Sequence, residues 1–119
     1  MANKLLSGRH ILIVEDEVMI LVYIEDILAG QGASFASATS VDRALALIDT
    51  QAFDAALLDV CLHGNKSYPV AEALKARGIP FAFSTGDIDL AEGYEDRPLL
   101  RKPFRAHALV EAFAGLFSA

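Results

Sequence analysis

The chain of 119 residues contains no tryptophan and only one cysteine, Cys61. A lone cysteine excludes an internal disulfide. The start, Met-Ala-Asn-Lys-Leu-Leu-Ser-Gly-Arg-His, lacks the apolar core of a secretory signal, so a reducing, cytoplasmic setting is expected. Long hydrophobic runs are missing too: Ile11 to Val14 is closed by Glu15 and Leu57-Leu58 by Asp59, far short of the roughly 20 residues a membrane helix needs. No membrane role is expected. Positive charge is scarce, with 10 Lys+Arg against 16 Asp+Glu for a formal charge of -6. Phosphate contacts dominate nucleic-acid affinity and need a basic surface, so direct nucleic-acid binding is not expected. Apolar residues, at 54%, are plentiful. A chain this long buries roughly two thirds of its unfolded surface and builds a core without staples. The expectation is one domain over residues 1–119, with no output domain beside it.

Short apolar runs alternate with amphipathic stretches, the pattern of repeated strand and helix units and of a parallel sheet covered on both faces. His10 to Val14 is β-branched and almost wholly apolar, as a strand buried on both faces requires. Apolar residues at 20, 21, 24, 27 and 28 then form a helical stripe, with Gly30 and Gly32 as its stop. Ala33 to Ala38 is a small-residue strand suited to a sheet edge, and Ser40 caps a helix whose apolar face is Ala44, Leu45, Leu47 and Ile48. Ala55 to Leu58 is a third strand running into Asp59, followed by a loop with Gly64 and Asn65. Pro69 opens a helix that stops at Gly78. Pro80 to Phe83 begins a fourth strand ending in Ser84-Thr85-Gly86, Leu99-Leu100 is a short fifth, and His107 to Phe117 is a final amphipathic helix.

The reactive side chains fall at the strand ends. Glu15 and Asp16 follow the first strand, Asp59 ends the third, Thr85 the fourth, and Lys102 follows the fifth. In a parallel sheet these ends share one edge, where ligands of open α/β sheets bind. Three crowded carboxylates repel one another unless a hard cation neutralises them, and Mg²⁺ suits carboxylates, water and phosphate oxygens. With a lysine ammonium and a threonine hydroxyl nearby, such a carboxylate is also a phosphoryl acceptor.

These residues, in this order, resemble the receiver domain of two-component response regulators over His10 to Phe117. The resemblance implies a flavodoxin-like, doubly wound α/β fold with five parallel strands in the order 2-1-3-4-5. It implies that Asp59 is the phosphoacceptor, that Thr85 and Lys102 assist it, and that Glu15, Asp16, Asp59 and the Cys61 main-chain carbonyl hold Mg²⁺. It further implies a cis bond between Lys102 and Pro103. The phosphoryl group would come from a histidine kinase or histidine phosphotransfer protein, and the signal would leave through a downstream protein partner or a phosphorelay. The only chemistry expected is self-catalysed phosphotransfer and autodephosphorylation. The alternative is a pseudo-receiver that binds partners unphosphorylated.

Departures from the family pattern are local. Asp59-Val60-Cys61-Leu62-His63-Gly64 replaces the usual Met-Pro turn after the acceptor. Pro80-Phe81-Ala82-Phe83-Ser84-Thr85-Gly86 resembles the Phe-Ala-Thr-Gly box of single-domain receivers from alphaproteobacteria, the FATGUY regulators, with Ser84 for Ala and Asp87 where Tyr is expected. Leu99 holds the place of the family's switch aromatic. Only 16 residues separate Thr85 from Lys102, and their glycines and acids predict a fourth helix that is short or mobile between 87 and 98. His10 and His107 read as structural and the Cys61 thiol as inert. Arg97, Arg101, Lys102 and Arg105 form a basic cluster near the site.

Overall fold

A computed structural model describes residues 4–86, 93–94 and 96–118, and structural statements below refer to these. The main sheet consists of β1 (His10–Val14), β2 (Ser34–Ala38), β3 (Ala55–Asp59), β6 (Phe81–Thr85) and β7 (Leu99–Arg101). They are joined in the order β2-β1-β3-β6-β7, every pair parallel. Counted along the main sheet alone this is 2-1-3-4-5, as expected. The two remaining strands, β4 (Cys61–Leu62) and β5 (Asn65–Lys66), form a separate antiparallel hairpin where the sequence pattern predicts a loop. Its tip is His63-Gly64, both with positive φ, at 49° and 82°. That is the backbone a two-residue hairpin turn needs.

The period of two along each strand divides the core. Leu12, Val14, Ala56, Leu58, Phe81 and Phe83 pack on one side with Ala44, Leu47 and Ile48 of α2 (Val41–Thr50) and Val70, Ala71 and Leu74 of α3 (Tyr68–Ala76). Ile11, Ile13, Ala55, Leu57, Ala82 and Leu100 pack on the other with Ile24 and Leu28 of α1 (Val18–Gly30) and Leu109 and Phe113 of α4 (Ala106–Ser118). Near-continuous apolar strands are what such two-sided burial demands. The Ser40 hydroxyl accepts from Arg43 N–H at 3.2 Å, capping α2 as expected. α1 stops at the two expected glycines. Gly30 is still helical, Gln31 is the cap, and Gly32 makes the turn at φ 77°.

The fourth helix expected between 87 and 98 lies largely on residues outside those described. Within that stretch Tyr94 is buried against Tyr68, stacked at 5.1 Å, and edge-on to Phe83 at 5.5 Å. Its hydroxyl donates to the Glu72 carboxylate. Burial pushes the Tyr94 phenol up to about 12, with Glu72 adding to the rise. His10 is structural, as expected: its ring nitrogens lie 2.7 Å from Ser34 Oγ and Gln51 Oε1, and it stacks on Phe53.

Candidate functional site

Strand order places the switch point between β1 and β3, where neighbouring crossovers leave in opposite directions and open a cleft. Glu15 and Asp16 leave the end of β1, and Asp59 ends β3 beside them. Oxygens of these three carboxylates lie within 4.8 Å of one another. Thr85 ends β6 and its carbonyl accepts from Lys102 N–H at 2.9 Å, which ties the residue after β7 to the same edge. The Lys102–Pro103 bond is cis, as the resemblance implied. Lys102 Nζ lies 2.8 Å from Glu15 Oε1 and 3.0 Å from Asp59 Oδ2. An open cavity of about 340 Å³ is lined by Asp16, Asp59, Cys61, His63, Thr85 and Lys102.

The three acids are not equivalent. Glu15 is only 1% exposed, and burial pushes its carboxyl up to about 7, with Asp59 adding to the rise and Lys102 and the Glu17 N–H working against it. Its Oε1 lies 2.8 Å from the Lys102 ammonium, whose charge offsets part of the cost of burying it. Partial burial raises Asp16 as well, but the His63 N–H, donating to Oδ2 at 2.8 Å, together with Asp16's own main chain and the His63 and Glu15 side chains, outweighs that and holds it below the usual carboxylate range. Burial draws the Lys102 ammonium toward neutrality, and its contacts with Glu15 and Asp59 more than reverse this, raising it above the ordinary lysine value. Asp59 Oδ1 accepts a long hydrogen bond, 3.4 Å, from Cys61 N–H.

The donor set fits a hard divalent cation. It offers three carboxylates, with oxygens within 4.8 Å of one another, against one ammonium, so negative charge remains in excess and every side-chain ligand is an oxygen. The structure therefore brings together Glu15, Asp16, Asp59, Thr85 and Lys102, and Cys61 lines the same opening. Two features were not foreseen from sequence: the burial of Glu15 beneath Lys102, and the hairpin whose His63 N–H reaches Asp16. His-Gly between two short polar-apolar runs was the available signal for the hairpin.

The response regulator receiver domain profile matches residues 11–114. The chain belongs to that family, a signalling module of two-component systems. Among solved structures it is similar to the solution structure of SdrG from Sphingomonas melonis Fr1, at 42% identity, 98% coverage of each chain and a TM-score of 0.83. It is also similar to the BeF3-activated conformation of SdrG from Pseudomonas melonis Fr1, at 43% identity, covering 93% of this chain and 98% of that one, with a TM-score of 0.80. The receiver domain of sensor histidine kinase PA1611 from Pseudomonas aeruginosa PAO1 shares the fold at 22% identity, covering 95% of this chain and all of that one, TM-score 0.80. That protein holds a magnesium ion in its active site cleft. No curated protein matches the chain.

Proposed function

We propose that the chain is a phosphoacceptor that takes a phosphoryl group from the phosphohistidine of a kinase or phosphotransfer protein onto Asp59. The observation that carries this reading is the Lys102 ammonium 3.0 Å from the Asp59 carboxylate, in a cleft where Glu15 and Asp16 converge. An Asp59 oxygen attacks phosphorus, a P–O bond forms as the P–N bond breaks, and the electron pair returns to the donor imidazole, which takes up a proton. Water later cleaves the acyl phosphate, regenerating the carboxylate and releasing inorganic phosphate. Lys102 and the Thr85 hydroxyl meet the charge on the transferring group's oxygens. Glu15, Asp16, Asp59 and the Cys61 carbonyl would hold Mg²⁺. When bound, that ion supplies the positive charge that lets phosphoryl oxygens approach a negatively charged edge. A relative 43% identical reaches an activated conformation with BeF3, a mimic of an aspartyl phosphoryl group, which supports the same chemistry here.

In this reading the exposed apolar face of α1 is the donor's docking face. Val18, Met19, Val22 and Tyr23 of α1 are exposed, Met19 at 83%. Beside them Ile20, Tyr23, Pro103 and Phe104 line a mostly apolar cavity of about 400 Å³ that shares Glu17, Gly86 and Lys102 with the acceptor opening. A histidine-bearing helical donor seated there presents its phosphoryl group to Asp59 directly. No helix among the described residues is long and apolar enough to cross a membrane. The proposed setting is the cytoplasm, where phosphohistidine donors act, and the signal leaves by protein contact or onward transfer.

Incubation with acetyl phosphate and Mg²⁺, read by intact mass, tests the reading. One phosphoryl group per chain is expected, dependent on Mg²⁺ and absent in Asp59→Ala. No label in the wild type, with partner binding preserved, would instead favour the pseudo-receiver.

A further inference from the structure

The β4–β5 hairpin lies outside the pattern that located the acceptor, yet its main chain meets two of the three carboxylates. His63 N–H donates to Asp16 Oδ2 at 2.8 Å, and Cys61 N–H to Asp59 Oδ1 at the longer 3.4 Å. The hairpin is anchored beneath. Leu62 is buried in the core, and across the base Ser67 N–H donates to the Val60 carbonyl at 2.9 Å. The direction of the His63 N–H is set by the left-handed backbone of His63 and Gly64. This matters because the terminal torsion of an aspartate is broad, so an Asp at a cavity mouth rotates unless something holds it. Outer groups that orient metal ligands are in general nearly as important as the ligands themselves.

We infer that the 61–66 hairpin is a positioning element of the acceptor site, in which the main-chain N–H of His63 fixes the Asp16 carboxylate and so sets the site's affinity for a divalent cation. The inference rests on the reading of Glu15, Asp16 and Asp59 as cation ligands. The imidazole is not the actor. It is 63% exposed, and its Nδ1 lies 3.7 Å from Asp16 Oδ2, beyond hydrogen-bond range. Gly64 is the lever. A Cβ added there meets no atom within 4 Å, so the Cβ itself acts through the positive φ and not through a clash. Valine resists that conformation and asparagine tolerates it.

The test is a titration of magnesium chloride into isotopically labelled protein, followed by amide chemical shifts, for wild type, Gly64→Val, Gly64→Asn and His63→Asn. A second readout, in metal-free protein, is the exchange rate of the His63 amide. Gly64→Val should weaken Mg²⁺ binding about tenfold and speed His63 amide exchange, with core amides unmoved. Gly64→Asn and His63→Asn, which keep the turn and the N–H, should stay close to the wild type. Should Gly64→Val prove unfolded, Gly64→Ala, with less strain, should show the same loss in smaller measure. Wild-type Mg²⁺ affinity in the valine variant despite fast His63 exchange would overturn the inference and leave the cation site standing. A loss in His63→Asn equal to that in Gly64→Val would overturn it in favour of the imidazole. Absence of Mg²⁺ binding in the wild type would overturn both the inference and the cation reading beneath it.

Discussion

Ile13 and Glu15 are two residues apart and equally buried, at 0% and 1% exposure, and the same holds for Leu57 and Asp59 at 1% and 6%. The interior residue of each pair is apolar and the end residue ionisable. Burial of the interior side chains stabilises the fold by roughly 25 cal/mol per Å² removed from water. Burial of the end carboxylates works against folding, because a charged group leaves water for incomplete compensation. One sheet thus carries a stabilising middle and a destabilised edge. The lesson is that the edge is kept for what it does, so stability and phosphorylation should respond to different residues.

The sharpest way to break this contrast is Asp59→Asn. Phosphorylation should fall to nothing, while urea denaturation of the metal-free protein shows stability unchanged or raised, since one carboxylate leaves a crowded edge and Lys102 keeps Glu15. A large loss of stability would mean that the Asp59–Lys102 pair is structural. Phe83→Ala tests the middle. Phe83 is fully buried and packs edge-on against Phe81, Tyr68 and Tyr94. Removing the ring should cost about 3–5 kcal/mol in urea denaturation, with acetyl phosphate labelling retained by the molecules that remain folded.

Glu15→Gln sharpens the contrast through pH. The Glu15 carboxyl lies at about 7 in the fold against an ordinary 4.5. Below 4.5 it is protonated in both folded and unfolded chains and carries no penalty. As pH rises through 4.5 the unfolded chain ionises first, so folding loses stability until the folded carboxyl ionises near 7. In metal-free protein the glutamine variant should therefore match the wild type at low pH and gain on the order of 2 kcal/mol by pH 8. A difference that shrinks across this range would reverse the sign assigned to Glu15. The smallest stability effect belongs to the surface. Met19→Lys should change stability by no more than about 0.5 kcal/mol, because the side chain is almost wholly exposed. It should nevertheless slow transfer from a phosphohistidine protein while leaving acetyl phosphate labelling intact. Equal slowing with both donors would place the defect in the acceptor rather than in docking.

Local chemistry was legible where it acts alone. The run Ile11 to Val14, the Ser40 cap and the apolar positions of α2 each follow from a short-range rule, and each element formed within a residue or two of its expected bounds. The acceptor edge was legible for a related reason: parallel strands align their ends, so a reactive residue closing each strand is a prediction about convergence. The hairpin was less visible, since two strands of two residues leave little alternation to read. Nor did the sequence announce Tyr94, whose burial depends on Tyr68 and Phe83 from distant elements.

By itself the sequence determined the α/β order, the five main strands and the identity of the residues at their ends, because periodicity and capping are properties of neighbouring residues. Only the tertiary structure decided which carboxylate is sunk beneath Lys102, which is held by the hairpin, and which apolar face of α1 stays exposed. Those outcomes depend on distances of a few ångströms between residues that lie 43 to 47 positions apart in the two aspartate contacts. Electrostatic and desolvation energies change steeply over such distances, and the spacing of letters along a chain does not encode them.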